Sequence, residues 1–412
     1  MDAWKQVVGL NMSSVERASL GAGEVFVAFL KLGLTSFGGP IAHLGYFRDE
    51  LVLRRKWIDE AGYADIVALC QFLPGPSSSQ VGFALGLFRS GPLGALAAWA
   101  AFTLPSALLL VLFAFGAGFT EGPLAASVLH GLKLVAVAVV AQAVWGMARS
   151  LAPDRRRAGI VLAALLVVTW GAGAAGQGFA ILMGAVLGLL LCRTGATAPA
   201  NRLMIPVSPR VGMISLALFA VLLLGLPLLA AGLPLQSLAL FDAFYRAGAL
   251  VFGGGHVVLP LLQAEVVAPG WVGGDAFLAG YGAAQAVPGP LFTFAAYLGA
   301  VAGQPANGLA GAVLCLLAIF LPGMLLLVGV LPFWSAVRER PNVQAAMRGA
   351  NAAVVGLLGA ALYDPVWTSA VLSPQDFALA VGGFVFLTVW QAPPWIVVLA
   401  IPLMTAVFPL IA

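Results

Sequence analysis

Two cations stand where a bare charge is costly. Lys31 lies inside the apolar run Phe29-Leu30-Lys31-Leu32-Gly33, six residues before Phe37-Gly38-Gly39, and Arg246 stands six residues before Phe252-Gly253-Gly254. Charges within apolar segments are functional candidates by default. Cations at the same place in two related halves would converge on a central site and could neutralise a divalent oxyanion. The plainer reading is that each snorkels to a headgroup or pairs with an acid such as Glu24 or Asp242. His43 and His256 follow the two breaks, though not at the same aligned position. An imidazole there could bond an anion, carry a coupling proton or simply pack. Gln71 and Gln285 stand three residues before Pro74-Gly75-Pro76 and Pro288-Gly289-Pro290. An amide at that place can orient an oxyanion or cap a half-helix. Proton coupling would need a carboxylate, and the candidates are Asp65, Glu50 and Glu265. The last two match each other at the ends of the segments that contain the breaks, and Glu50 reads as a solvated loop residue.

The breaks could themselves bind an anion. In Phe37-Gly38-Gly39-Pro40 and Phe72-Leu73-Pro74-Gly75-Pro76-Ser77-Ser78-Ser79-Gln80, glycine permits a tight reversal and proline starts the next half-helix without wasting an N–H. The new N-terminus then offers free N–H donors and the positive end of the helix dipole. Ser36, Ser77 and Ser78 add hydroxyls. In the second half the corresponding set is Gly253, Gly254, Gly255, Gly289 and Thr293, with Leu291 and Phe292 where the first half has serines. The halves are therefore unequal in polarity. The alternative is that these glycines and prolines only let helices pack or kink. No Gly-rich phosphate loop, zinc-ligand spacing or Ser/His/Asp arrangement is evident, which argues against an ATP-driven pump, a metal or cofactor, or an enzyme.

The elements that must position these residues follow from composition. Of 412 residues, 61% are hydrophobic and 9% charged, with a mean hydropathy of +1.02. Lipid is the solvent for most of such a chain. The apolar runs lack the alternation of barrel strands, so the fold class is all-α and polytopic. Three cysteines far apart in apolar segments form no disulfide or ligand framework, and no removable signal peptide is expected from the charged residues that precede the first apolar run. The net charge of +4 comes from arginines clustered in loops, which reads as topology information rather than nucleic-acid binding.

Self-similarity divides the chain. Trp57, Gln71 and Pro74-Gly75-Pro76 recur as Trp271, Gln285 and Pro288-Gly289-Pro290 at identical spacing; Gly91, Gly94, Pro105 and Gly131 recur as Gly308, Gly311, Pro322 and Gly349. This predicts a tail over 1–21, repeats over 22–192 and 237–412, and between them a linker plus one connecting span over 193–236. If each break folds its segment into a re-entrant hairpin, each repeat has two hairpins followed by four crossings. The loops bearing Arg54, Arg155 and Arg202 then all face the cytoplasm, as the positive-inside rule requires. The odd connecting span inverts the second repeat. Inverted repeats with broken helices are a transporter signature, with the solute site near the midplane.

At these motifs the sequence resembles the chromate ion transporter family in its long, two-domain form. The likeness is carried by Lys31-Leu32-Gly33-Leu34-Thr35-Ser36-Phe37-Gly38-Gly39-Pro40-Ile41-Ala42-His43, Trp57 and Gln71-Phe72-Leu73-Pro74-Gly75-Pro76. In the second half it is carried by Phe252-Gly253-Gly254-Gly255-His256 and Gln285-Ala286-Val287-Pro288-Gly289-Pro290-Leu291-Phe292-Thr293. The resemblance implies export of chromate, with sulfate as the chemically similar competitor, driven by membrane potential or a proton gradient across an inner membrane. Membrane lipid and a second copy of the chain in a homodimer are the further partners expected. Residues and spacing alone reach only an anion transporter, with an oxyanion channel or a sulfate-type anion transporter on the same scaffold as the alternatives.

Overall fold

The computed structural model describes residues 21–411 apart from Gly38, 118–122, 172, 194–206, 253–256, 304–306, 335 and 337–339. Among the described residues there are helices and no strand. Gly38, Gly253, Gly254, Gly255 and His256 lie outside the described residues.

The first repeat opens with α1 (Ala22–Thr35) and α2 (Gly39–Phe47), the latter continued by a wide π-helical turn over Arg48–Arg54. α3 (Glu60–Phe72) follows, its start capped by Asp59, whose side chain accepts the Gly62 N–H at 2.8 Å. The next segment, Ser77–Ala117, contains non-helical Ser90 and Gly91. It is two helices, α4 over 77–89 and α5 over 92–117. One helix of that length would run about 60 Å, twice a hydrocarbon core. Instead the chain reverses at Gly91 (φ +66°), and Gly86 and Gly94 face each other so closely that a Cβ on either would lie 2.4 Å from the other's carbonyl oxygen. α6 (Pro123–Leu151), α7 (Arg155–Trp170) and α8 (Gly173–Leu191) complete the repeat, and α9 (Pro209–Gly232) connects to the second.

The second repeat repeats the order with α10 (Gln236–Ala249), α11 (Val258–Val266), α12 (Gly274–Ala284) and α13 (Phe294–Val301), the last preceded by a 3-10 turn at Leu291–Thr293. Then come α14 (Gly308–Val330), α15 (Pro341–Ala361), α16 (Pro374–Thr388) and α17 (Pro394–Ile411). The helices flanking the breaks have 8 to 14 residues, which is at most about 21 Å and too short to cross a core of about 30 Å. By contrast, Ala126–Leu151, Pro209–Gly232, Gly308–Phe333 and Pro341–Ala370 are each long and apolar enough to span it. The protein is a polytopic helical membrane protein of two repeats with broken helices.

The repeats are intertwined rather than side by side. α6 of the first repeat packs on α16 and α17 of the second: Gly131 lies against Pro402, Thr405 Oγ1 donates to Ser127 O at 2.8 Å, and Gln142 reaches Leu387 O. The mirror arrangement holds for α15 of the second repeat, which packs on α7 and α8 of the first. Gly349, the counterpart of Gly131, abuts Gly184 and Gly188, and Gly356 abuts Val161 O. Small residues let these backbones approach where lipid offers no hydrophobic drive for association.

Candidate functional site

The breaks end their helices by plain backbone chemistry. Ser36 and Leu73 leave α1 and α3 in extended conformations, the latter enforced by the proline that follows it. Gly39 (φ +79°), Gly75 (φ +122°) and Gly289 (φ +102°) take left-handed backbone that favours glycine.

These breaks then meet in pairs across the repeats. The Gly75 N–H donates to Val251 O at 2.7 Å, and the Gly289 N–H donates to Ser36 O at 2.8 Å. Ser36 and Val251 each immediately precede the Phe of their Phe-Gly-Gly motif. Each Pro-Gly-Pro break is thus stapled to the first break of the other repeat. The supports are symmetric as well. A Cβ on Gly289 would meet Ser106 Oγ at 3.1 Å and Phe102 O at 3.2 Å, and one on Gly75 would meet Gly323 Cα at 3.1 Å. Ser106 and Gly323 follow the matched Pro105 and Pro322. Gly33 likewise lies against the backbone of Ala101 and Phe102, and its counterpart Gly248 against that of Ile319.

Polar side chains gather where the four breaks meet. His43 Nδ1 and Ser78 Oγ are 3.2 Å apart. Ser106 Oγ donates to Thr293 Oγ1 at 2.9 Å, and that hydroxyl donates to Pro290 O. The Gln80 amide donates to Pro74 O at 3.0 Å and to Gly323 O, in the other repeat, at 2.9 Å. Six atoms here have no hydrogen-bond partner among the described residues: Ser36 Oγ, His43 Nε2, Ser79 Oγ, Gln80 Oε1, Thr103 Oγ1 and Gln285 Nε2. Ser36, Gln80 and Thr103 are fully buried. Leaving such a group unbonded costs about 1–3 kcal/mol, so each of these buried polar atoms calls for an explanation. At the start of α4 the first helical bond is Gln80 N–H to Pro76 O. The backbone N–H groups of Ser77, Ser78 and Ser79 have no acceptor among the described residues and lie at the positive end of the helix.

The two cations are engaged elsewhere. Lys31 Nζ contacts Glu50 Oε2 at 2.7 Å. Arg246 contacts Glu265 at 2.9 Å and Asp242 at 3.0 Å. Glu50 and Glu265 each lie nineteen residues after their cation, so the two ion pairs are equivalent features of the repeats. The expectation that Glu50 is a solvated loop residue is corrected: its side chain is 7% exposed, clasped also by Arg54 at 3.1 Å and Arg55 at 2.8 Å. Glu24, considered as a partner for Lys31, instead faces Arg55 and Arg89, whereas Asp242 does pair with Arg246. Among the described residues no bond joins Lys31 to Arg246, or either cation to the polar side chains at the centre.

Of the remaining expected residues, Ser36, His43, Gly75, Ser78, Gln285, Gly289 and Thr293 belong to this centre. Ser77 sits at its edge, half-buried. Gln71 does not join it: its side chain is exposed, unlike its counterpart Gln285. Asp65 accepts from the Trp334 indole at 3.3 Å. Sequence reasoning missed Thr103 and Ser106, which no break motif flags, and the contacts His130–Asp376 at 2.7 Å and Lys133–Asp275, which tie α6 to the second repeat. An ionisable pair inside Leu129-His130-Gly131-Leu132-Lys133 was the available signal.

Comparison with known proteins bears on this geometry. A family model described as chromate transporter matches residues 23–190 and again 238–406. A chromate transport protein of Pseudomonas aeruginosa is 29% identical over 379 residues, covering 89% of this chain and 87% of that protein. One of Cupriavidus metallidurans is 30% identical, covering 82% and 81%. A probable chromate transport protein of Synechococcus elongatus is 31% identical, covering 81% and 82%. No solved structure matches. With both repeats matched and the likeness running through nearly the whole chain, this multi-pass membrane protein belongs to the chromate transporter family.

Proposed function

We propose that the protein is a secondary active transporter that exports chromate, a sulfate-like dianion, across the inner membrane, driven by membrane potential or a proton gradient. The observation that carries the binding reading is the cluster of buried polar atoms without protein partners at the crossing of the breaks. The oxyanion would accept from the Ser77–Ser79 backbone N–H groups and from the Ser36, Ser78 and Ser79 hydroxyls, while Thr293, whose own proton goes to Pro290 O, holds its break in place. Gln285 and His43 would complete its shell. Gly39, Gly75 and Gly289 would let backbone approach the anion without a Cβ between them. Lys31 and Arg246 supply countercharge as it enters or leaves, each exchanging a carboxylate for the substrate.

The charges differ between the repeats, which suits a coupling role. Glu50 faces Lys31, Arg54 and Arg55, whereas Asp242 and Glu265 share the single Arg246 guanidinium. Two carboxylates on one cation form a place where taking up one proton balances charge, so Glu265 is the foremost coupling candidate, ahead of Glu50 and Asp65. In the hairpin topology the Lys31 cluster faces the cytoplasm and the Arg246 cluster faces outside. Placing one ion pair at each mouth matches the alternating-access logic of inverted repeats.

The test is accumulation of labelled chromate in inverted vesicles, with and without excess sulfate and an uncoupler. Uphill accumulation that the uncoupler abolishes and sulfate competes supports the proposal. Flux that only follows the chromate gradient makes the protein an oxyanion channel.

A further inference from the structure

A cluster of arginines lies away from the centre, at the junction of α7, α8 and α15. The start of α7, the end of α8 and the first part of α15 border an open cleft of about 700 Å³, lined by Arg155, Arg156, Arg157 and Arg348, with Asp154 the one acid on its wall among the described residues. That volume falls in the range of small-ligand sites, about 300–1,000 Å³. The arginines come from both repeats.

Asp154 is already committed. Its Oδ1 accepts the Arg156 and Arg157 N–H groups at 3.0 Å each, capping α7, and its Oδ2 accepts from Arg157 Nε at 2.6 Å. Arg155 has no hydrogen-bond or ion-pair partner among the described residues. Arg156 and Arg348 are aimed by carbonyl oxygens: Arg156 Nη1 donates to Leu191 O at 3.0 Å and Arg348 Nη1 to Cys192 O at 2.9 Å, with Arg348 Nη2 also donating to Gln344 Oε1 at 2.9 Å. A guanidinium has five N–H donors, so further acceptors can be served. Three arginines in the first turn of α7 also add positive charge to the positive end of its dipole, which opposes helix stability. Basic loop residues as a topology signal explain Arg155–Arg157. They do not explain why Arg348, from the other repeat, lines the same cleft.

We propose that this cleft binds the phosphodiester headgroup of an anionic phospholipid and so clamps the two repeats together. The apolar surface beside it favours a lipid over a free ion. Leu191 on the cleft wall is 40% exposed, and Leu162 and Leu166 on α7 and Leu190 on α8 are exposed too, a bed for acyl chains running from the cleft along the same helices. Arginine forks match phosphate oxygens two at a time, and basic pockets between transmembrane helices hold such headgroups.

The test uses the purified full-length protein in neutral detergent, titrated with phosphatidylglycerol, phosphatidylcholine or inorganic phosphate, and read by native mass spectrometry and thermal unfolding. Phosphatidylglycerol should be retained and should raise the unfolding temperature, while phosphatidylcholine does neither. Arg155→Gln should weaken retention about five-fold and Arg155→Gln with Arg348→Gln about twenty-five-fold, with Arg155→Lys keeping most of it. Arg155→Gln decides the matter even if the double variant folds poorly, since Arg155 bonds nothing described in the protein. Equal retention of both lipids, or undiminished phosphatidylglycerol binding by Arg155→Gln, overturns the proposal. Displacement of phosphatidylglycerol by millimolar inorganic phosphate overturns it too, because the cleft would then be a free-oxyanion site.

Discussion

Replacing Gly75 or Gly289 with alanine puts the crossing of the breaks under a load that can be worked out. At φ +122° and +102° an L residue is strained by about 1–3 kcal/mol. The added methyl on Gly75 would sit 2.9 Å from Gln80 Nε2 and 3.1 Å from Gly323 Cα. Gln80 can move only by giving up its bonds to Pro74 O and Gly323 O, about 1 kcal/mol each. If the break relaxes instead, the 2.7 Å bond to Val251 O is lost, at a similar cost. The total is about 3 kcal/mol, or more than a hundred-fold in the fraction of protein holding the binding geometry at 1.36 kcal/mol per tenfold. Gly289→Ala meets only Ser106 Oγ and Phe102 O, at 3.1 and 3.2 Å, and should lose about ten-fold to a hundred-fold. The control is Gly270→Ala, which shares the strain (φ +78°) but has nothing within 4 Å of the new methyl. It should cost stability and leave transport near normal. The assay is chromate uptake by inverted vesicles, normalised to membrane-inserted protein. Native transport by Gly75→Ala, or an equal loss in Gly270→Ala, would refute the reasoning.

Lys31→Gln and Arg246→Gln should each lose most transport and weaken chromate affinity, with Lys31→Arg retaining part. If adding Glu50→Gln to Lys31→Gln restores full uptake, Lys31 serves only its ion pair. Ser106→Ala removes the hydroxyl that bonds Thr293 across the repeats; it should lower the unfolding temperature by an amount worth about 1 kcal/mol, measured by thermal melting, and adding Thr293→Val should cost only the further bond to Pro290 O, because the bond to Ser106 is shared. Cysteines introduced near Arg55 and Arg156 should react with impermeant reagent from the cytoplasm only, and ones near Gly273 from outside only. Opposite labelling of Arg55 and Arg156 would remove the hairpin topology.

Much of the architecture was legible because it rests on local rules. Composition forced helices, and the glycine and proline spacing located the breaks, since a proline constrains its own turn wherever the chain folds. Gly75 and Gly289 could be named for the same reason: positive φ is a property of the residue's own backbone. Partnerships were legible only within one helical turn, as for Asp242 and Arg246. Lys31 belongs to Glu50 rather than Glu24 because a helix break and a π-helical turn lie between them. Gln71 and Gln285 stand at identical places in the repeats yet differ in burial, because each is covered by whatever the rest of the chain puts there. Thr103 and Ser106 carry no motif, and only packing brings α5 beside the break of the other repeat.

That intertwining makes a last prediction about how the halves depend on each other. α6 is covered by α16 and α17, and α15 by α7 and α8, so cutting the chain within 194–206 leaves each half with its long crossings bare on the face the other half covers. Lipid can solvate apolar side chains there, but it cannot replace the bonds His130 makes to Asp376, Gln142 to Leu387 O or Arg348 to Cys192 O. An unpaired charge in hydrocarbon costs about 2.5–3.5 kcal/mol even on insertion scales. Neither half expressed alone should transport chromate, and each should be cleared from the membrane faster than the whole chain. Expressed together, with α9 kept on the second half so that its orientation is preserved, they should copurify and restore transport. Gly349→Val should abolish copurification, because its Cβ would lie 2.0 Å from Gly184 O and neither backbone can yield. A single half that transports chromate by itself, or halves that copurify unchanged with Gly349→Val, would mean that the repeats are separate domains and that the site is not shared between them.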